Sequence, residues 1–406
     1  MANREILIHN AVVVQKDRVV EGGAVALRGQ KIVAVLDDPR QLRFHPDAEM
    51  VDAGGAYVLP GFIDTHSDNI ERVIQPRPQS VIDFELAMRE QEKQLVNQGI
   101  TTMYHSLSTT DVRGKSSIRS PENLKKLAAL IKSFHEGESI IHHRFHCRYD
   151  MCNLAGYDML IDFIRGGDIH YLSFTDHTPG QGQYRDIEFF KSHVLPAYHG
   201  TDTNVDELLS ERMSREKLTD AQVRAAADLA CACGIPIASH DDDTLEKLAY
   251  VTEKLHSNIS EFPVDMEIAK AARARDMLVV VGAPNVLMGR SHSNNLSAIE
   301  AVRAGCADIL VSDYFPPAIL HAVFKLFGEG LLPLPDAVNM ASYNPARAMR
   351  VDDRIGSIEA GKNADLLIVS KKGALPVVTS VFIDGALVSS LRYRDAQVKE
   401  GRAINV

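Results

Sequence analysis

No run of eighteen apolar residues occurs in the sequence, so no membrane-spanning helix is expected. The first residues, Met1-Ala-Asn-Arg-Glu-Ile, contain no apolar signal-peptide core, which points to a cytoplasmic protein. Cysteine is scarce and odd in number, five in 406 residues, a count that suits reduced, mostly core thiols better than a disulfide framework. Cys231-x-Cys233 lacks the spacing of a zinc knuckle; it lies in an alanine-rich helical run and is expected to pack. Basic residues are outnumbered, 44 Lys and Arg against 54 Asp and Glu, and the net charge of −10 argues against nucleic acid as a partner. An anionic small molecule stays open, because a pocket can be locally basic or metal-bound on an acidic protein. A homo-oligomer is neither demanded nor excluded by these counts.

What is present is an ordinary globular composition, 45% apolar and 24% charged, enough for one large core or two domains. Residues 4–52 read as short strands with tight turns, such as Glu5-Ile-Leu-Ile-His and Ala11-Val-Val-Val-Gln, punctuated by Gly and Asp. Residues 355–406 look the same. Two β-rich ends around an α/β middle predict that the termini meet. The expected division is 1–57 plus 355–406 as a composite β-sandwich domain, and 58–354 as a second domain.

That middle alternates strand and helix. Eight apolar runs, at 58–66, 100–106, 139–147, 169–176, 235–240, 258–262, 277–282 and 307–313, read as strands. Ser120-Pro121 opens one intervening helix with an N-cap and a first-turn proline, and Thr219-Asp-Ala-Gln222 opens another as a capping box. The arithmetic is that of an α/β fold, a (β/α)8 TIM barrel. The alternative, an open doubly wound sheet, lacks a Gly-rich dinucleotide fingerprint after its first strand. A polar connection, 178–218, inserts between the fourth and fifth strands, and loops of that length commonly serve as lids or binding segments.

In a barrel, reactive groups stand at the C-terminal ends of strands. Those ends carry His66 and Asp68; His105; His146 and Arg148; Asp176 and His177; His240, Asp241 and Asp242; Glu261; Asn285; and Asp313. His66 and Asp68 share one side of a strand end, and an imidazole beside a carboxylate is half of a divalent-metal site. On the third strand His142, Arg144, His146 and Arg148 alternate with Ile141, His143, Phe145 and Cys147, so the first set faces the mouth and Arg148 supplies a fixed cation there. The segment 283–295 reads as a loop in which Asn285, Arg290, Ser291 and His292, with a helix start near Asn294, suit phosphate oxygens. Arg77, between Pro76 and Pro78, is a second rigidly presented cation.

Leu59-Pro-Gly-Phe-Ile-Asp-Thr-His66, Asn344-Pro-Ala and Gly356-Ser-Ile-Glu-Ala-Gly-Lys-Asn-Ala-Asp365-Leu resemble the amidohydrolase superfamily. Further motifs, among them His66-Ser-Asp68-Asn69, Asp176-His-Thr-Pro-Gly180-Gln, Ser239-His-Asp-Asp242, Gly282-Ala-Pro-Asn285 and Ser312-Asp-Tyr314, resemble its diphosphatase branch in the carbon–phosphorus lyase pathway of phosphonate metabolism. The resemblance implies a metal-dependent hydrolase of a small phosphorylated molecule, cutting the α–β phosphoanhydride of a methylphosphonoribosyl triphosphate to release pyrophosphate. His66, Asp68, His240 and Asp313 would hold metal, with Glu261 and His177 as further ligands. Asp313 and His240 would be catalytic, and Arg77, Arg148, Asn285, Arg290, Ser291 and His292 would bind substrate. Three departures stand out. The common His-x-His of strand one is His66-x-Asp68, the bridging lysine of strand four is absent, and the histidine of strand six is Glu261. This oxygen-richer set suits Mn²⁺ or Mg²⁺ and still admits Zn²⁺, as one ion or two. The alternative within the superfamily is a deaminase or cyclic-amide hydrolase acting on a C–N bond.

Overall fold

A computed structural model describes residues 4–38, 46–77, 80–109, 118–194, 205–289 and 295–394. The β-rich ends meet. From the N-terminal side come β1 (Glu5–Val14), β2 (Val19–Arg28), β3 (Lys31–Leu36), β4 (Glu49–Asp52) and β5 (Tyr57–Pro60). They join β14 (Leu366–Lys372), β15 (Leu375–Ile383) and β16 (Ala386–Ser390) in one mainly antiparallel sheet of order β16-β15-β14-β5-β1-β2-β3, with β4 on β1. The small β-sandwich domain encloses its own apolar cluster, in which Ile6, Ile8, Val25 and Leu27 meet Leu366, Ile368 and Phe382 from the other end of the chain.

The middle forms the barrel. Its parallel strands run in chain order: β6 (Phe62–Ser67), β7 (Ile100–Ser108), β8 (His142–Asp150), β9 (Tyr171–Thr175), β10 (Ile237–His240), β11 (Ile259–Glu261), β12 (Leu278–Gly282) and β13 (Ile309–Val311). A parallel bridge between Ser67 and Asp313 brings the last strand back to the first. Asp313 N–H donates to His66 O at 3.0 Å, and Asp68 N–H donates to Asp313 O at 3.0 Å. Below that seam the buried Asp64 Oδ1 accepts Ser312 N–H at 3.1 Å, and burial pushes its carboxyl up to about 7.

Strand periodicity sorts the core into layers. Ile63, Tyr104, Tyr171, Val280, Ile309 and Val311 fill the barrel, while Met103, Phe145, Val279 and Leu310 face the surrounding helices. Those helices carry the expected start signals. Ser120 Oγ accepts Asn123 N–H ahead of Pro121–Glu136, and Thr219 forms a capping box with Gln222 ahead of Asp220–Ala232. Leu124, Leu127, Ala128, Ile131 and Phe134 of the first helix are buried at 3.6-residue spacing. A leucine such as Leu127, fully buried there, contributes roughly 1.5–3 kcal/mol.

Two elements differ from the reading of the sequence. The run 58–66 is two strands in two sheets, parted at Gly61, whose N–H donates to Asp365 O at 2.8 Å. A Cβ at that position would lie 2.2 Å from Thr101 Oγ1, so only glycine allows the chain to cross between sheets so close to β7. The segment expected as a loop from residue 283 is helical over Ala283–Met288. Pro284 sits in its first turn and Gly289, at φ 72°, ends it, an arrangement of Pro and Gly that marks a helix as well as a loop. Of the insertion, Gly182–Tyr184 is a 3-10 turn, Ile187–Phe189 runs into a π-helical stretch to Val194, and Val205–Met213 is helical. Cys147 and Cys306 are buried thiols as expected, but Cys233 is exposed because it follows the last turn of its helix.

Candidate active site

At the C-terminal end of the barrel, β6, β10 and β11 bring His66, His240 and Glu261 together, with a potential ligand atom of each within 4.8 Å of the others. All three are buried. His66 Nδ1 lies 3.0 Å from Glu261 Oε1, which also accepts the Tyr171 hydroxyl at 3.0 Å. His240 Nδ1 lies 2.9 Å from Asp241 Oδ2. An ionised carboxylate can only accept, so each Nδ1 carries a proton toward its carboxylate, and in a neutral ring the lone pair then sits on Nε2. Burial first, then the positive charge of Arg148, holds His66 well below its ordinary 6.5, so its ring is neutral. Burial alone would raise Asp241, but the pull of His240, and behind it His177 and Lys247, takes it down to about 2.

Three atoms around this point are buried without a hydrogen-bond partner: His240 Nε2, Glu261 Oε2 and Asp68 Oδ1. A buried imidazole nitrogen and carboxylate oxygens left without a partner are what a divalent cation satisfies, so the residues fit a metal ion. The backbone is strained at the same rim. Asp241 (φ 51°), Phe262 (φ 55°) and Asp313 (φ 55°) are left-handed non-glycine residues at or just past strand ends, each costing on the order of 1 kcal/mol. The Phe262 ring stands 5.0 Å from that of His66 and 5.3 Å from that of His240, an apolar wall against the imidazoles.

Above the floor opens a cavity of about 330 Å³. It is lined by His66, Asp68, Arg148, His177, His240, Asn285 and Asp313, which the sequence singled out; Glu261 lies beneath, bonded to His66. His177 is held by Asp150, Nδ1 to Oδ2 3.6 Å, with its ring 6.5 Å from that of His240. Arg148 reaches the cavity from the end of β8, as the alternation on that strand requires, and its Nε is buried without a partner. Arg77 is exposed and does not line the cavity. Arg290, Ser291 and His292 lie outside the described residues.

Other strand-end residues do not line the cavity, though His146 lies under it with its ring 5.1 Å from that of His66. β7 runs on past His105 to Ser108, so Ser108 meets the cavity while His105 turns outward. There it stacks on His143, Nε2 to Nδ1 2.8 Å, and His143 reaches Glu92. His146 sits inside the barrel between Ser106 and Ser173 at 2.9 Å each. Asp176 pairs with Lys217 at 2.6 Å, and Asp242 accepts the hydroxyls of Ser239 and Ser260.

Reading strand ends alone misses three further arginines on the cavity: Arg72, Arg119 and Arg212. Arg72 lies 5.4 Å over the Tyr314 ring, and Arg119 pairs with Glu71 at 2.7 Å. Arg212 comes from the helix in the insertion, its guanidinium 5.6 Å over Phe190. With Arg148 they make four guanidinium groups around one acidic, histidine-floored pocket, a combination that accepts an anion with several charges.

A barrel carrying metal-type donors at its strand ends and a sheet domain made from both termini defines a class, and the comparisons agree with it. The chain belongs to the amidohydrolase family, whose model matches residues 57–388; it is a hydrolase of that superfamily. Among curated proteins it is 32% identical to the alpha-D-ribose 1-methylphosphonate 5-triphosphate diphosphatase of Escherichia coli (strain K12), over 90% of this chain and 96% of that protein. It is 25% identical to the imidazolonepropionase of Symbiobacterium thermophilum, over 87% of this chain and 84% of that one. Among solved structures, the N-acetylglucosamine-6-phosphate deacetylase of Pasteurella multocida shares the fold, with a TM-score of 0.65 at 13% identity, covering 95% of this chain and 100% of that one. No helix among the described residues is long and apolar enough to cross a membrane.

Proposed function

We propose that this chain is a metal-dependent phosphoanhydride hydrolase that cleaves alpha-D-ribose 1-methylphosphonate 5-triphosphate between its α and β phosphates, releasing the 5-phosphate and pyrophosphate. The observation that carries this reading is the set of four cavity arginines facing a metal-type cluster. The similarity to the Escherichia coli diphosphatase supports the same substrate. A cytoplasmic location goes with it.

In this reading His66, Asp68, His240 and Asp313 hold one or two divalent ions, with Glu261 and His177 as further donors. Such an ion supplies Lewis acidity to water and to a phosphoryl oxygen, with Zn²⁺, Mn²⁺ and Mg²⁺ as candidates. The protein's own residues do the rest. Glu261 and Asp241 hold the Nδ1 protons of His66 and His240, which would leave Nε2 of each ring as the nitrogen that holds the ion. Asp313, held by its backbone between His66 and Asp68, takes the proton of the attacking water. Arg148, Arg72, Arg119 and Arg212 neutralise the triphosphate and then the departing pyrophosphate. In-line attack needs the leaving group opposite the water, so guanidiniums gathered around the outer phosphates favour departure of two phosphates as one unit.

Phosphorus NMR of a panel of ribosyl and nucleoside triphosphates with Mn²⁺, Mg²⁺ or Zn²⁺, run in ¹⁸O-labelled water, tests the bond. Pyrophosphate and a monophosphate are the expected first products; orthophosphate first overturns the assignment. The C–N alternative, to which the imidazolonepropionase similarity points, predicts no pyrophosphate at all; a deaminase releases ammonia from amino-bearing bases, and a cyclic-amide hydrolase opens its ring without releasing ammonia, read as loss of ring absorbance on a cyclic amide.

Arg148→Ala is expected to lower kcat/KM on the triphosphate roughly 10- to 150-fold, the 1.5–3 kcal/mol of a hydrogen bond to a charged group. Wild-type kcat/KM in that variant would remove Arg148 from the anion pocket.

A further inference from the structure

A second cluster of metal-type donors lies at the opposite end of the barrel. His142 is the first residue of β8, six residues and about 20 Å along that strand from Arg148 at the mouth. Facing it are Asp365, which immediately precedes β14, and Asp384, in the turn between β15 and β16. One donor atom from each lies within 4.8 Å of the other two. His142 Nε2 is 3.3 Å from Asp365 Oδ2 and 3.9 Å from Asp384 Oδ2.

The arrangement around these atoms is specific. Asp365 Oδ1 accepts Asp384 N–H at 2.9 Å, and Asp384 Oδ1 accepts the Asn363 side-chain amide at 2.8 Å. Each carboxylate is thus fixed through one oxygen and turns the other toward His142. Asn363 Oδ1 in turn accepts Lys31 Nζ at 2.7 Å, and the charge of Lys31 opposes the rise of the Asp384 carboxyl without cancelling it. Among the described residues, His142 is the only ion-pair partner of either carboxylate. Asp365 is only 5% exposed, and its Oδ2 and His142 Nε2 are both buried with no partner but each other; against the effect of burial, contact with the two carboxylates draws the His142 ring above its ordinary value. Burial and the neighbouring Asp365 raise the Asp384 carboxyl, as expected where negative charge exceeds its compensation.

We propose that His142, Asp365 and Asp384 form a second divalent-cation site, separate from the cavity, that fastens the terminal sheet to the base of the barrel. One imidazole nitrogen and two carboxylate oxygens suit Zn²⁺ among common ions, with water completing its coordination. Carboxylates pre-oriented through their second oxygens are the outer partners such sites use. Asp384 is partly exposed, which gives the ion an entry path. Binding displaces any proton from His142 Nε2 to solvent.

The test uses the full-length protein, stripped with a chelator and titrated with Zn²⁺ against a chromophoric chelator. Wild type is expected to take up one more equivalent than either Asp384→Asn or His142→Gln, and Zn²⁺ is expected to raise its Tm further. Asp384→Asn keeps a carbonyl for Asn363 and places Asn at φ 47°, a conformation that residue tolerates, so the fold is retained. Its turnover should match wild type, which separates this site from the mouth. Equal Zn²⁺ stoichiometry in wild type and Asp384→Asn overturns the proposal. So does a Tm difference between them that follows pH but is indifferent to Zn²⁺, since the cluster is then a protonated-histidine clasp.

Discussion

Asp313→Asn is expected to leave the fold intact and to lower kcat by about 10²- to 10⁴-fold, the usual contribution of a positioned general base. The amide is isosteric with the carboxylate but cannot accept a proton from water. The backbone of residue 313 bonds to His66 and Asp68 through N–H and C=O, so the side-chain change leaves the barrel seam in place. Asn also tolerates the left-handed conformation at φ 55°. Circular dichroism and Tm check the fold; steady-state kinetics over a pH range check the chemistry. Near-normal kcat would remove Asp313 from the proton-transfer step.

Asp68→Ala should lower bound metal and turnover together, again without unfolding. Asp68 Oδ1 is buried without a hydrogen-bond partner on the cavity that His66 and His240 also line, so deleting it removes an acceptor that no protein donor satisfies. The fold loses little by this and the ion loses a ligand. Loss of the several kcal/mol that a Lewis acid contributes corresponds to roughly 10³-fold or more in rate. Metal analysis of the purified variant beside its kcat gives the readout. A variant with wild-type metal content and depressed activity would show that Asp68 acts on substrate instead of the ion.

The sequence exposed most of what strand periodicity governs. His66, Asp68, His240 and Asp313 follow apolar runs too short for helices, and a parallel barrel leaves such residues no destination but its C-terminal rim. The same alternation placed Arg148 at the mouth and Phe145 among the helices. Where register was set by something other than alternation, the reading failed. His105 looked like a strand end, yet β7 continues to Ser108 and turns His105 outward toward Glu92. Tyr57–Pro60 and Phe62–Ser67 read as one strand because a steric constraint at Gly61, imposed by Thr101 some forty residues away, has no local signature.

The missed arginines have a common physical cause. Arg72 and Arg212 project from helices, and Arg119 just precedes one, so no strand end advertises them. Nothing in their neighbours distinguishes them from solvated surface charges such as Arg77, which is exposed. Only the tertiary fold, which carries the helix Val205–Met213 back over the mouth, gives Arg212 a cavity to line.

The bridge between Ser67 and Asp313 also bears on how the protein is made. The two halves of the rim are separated by most of the chain, and at 5–20 residues per second the ribosome delivers Asp313 roughly 12–50 s after His66. For that interval the nascent chain displays His66 and Asp68 without the strand that completes their surroundings. With the proposed ligand set, ion capture belongs to the last act of assembly, when β13 docks on β6, and not to early collapse. A chain stalled or truncated before residue 313 is left with an open barrel edge and half a binding site, a species for quality control to recognise by its exposed strand rather than by its chemistry.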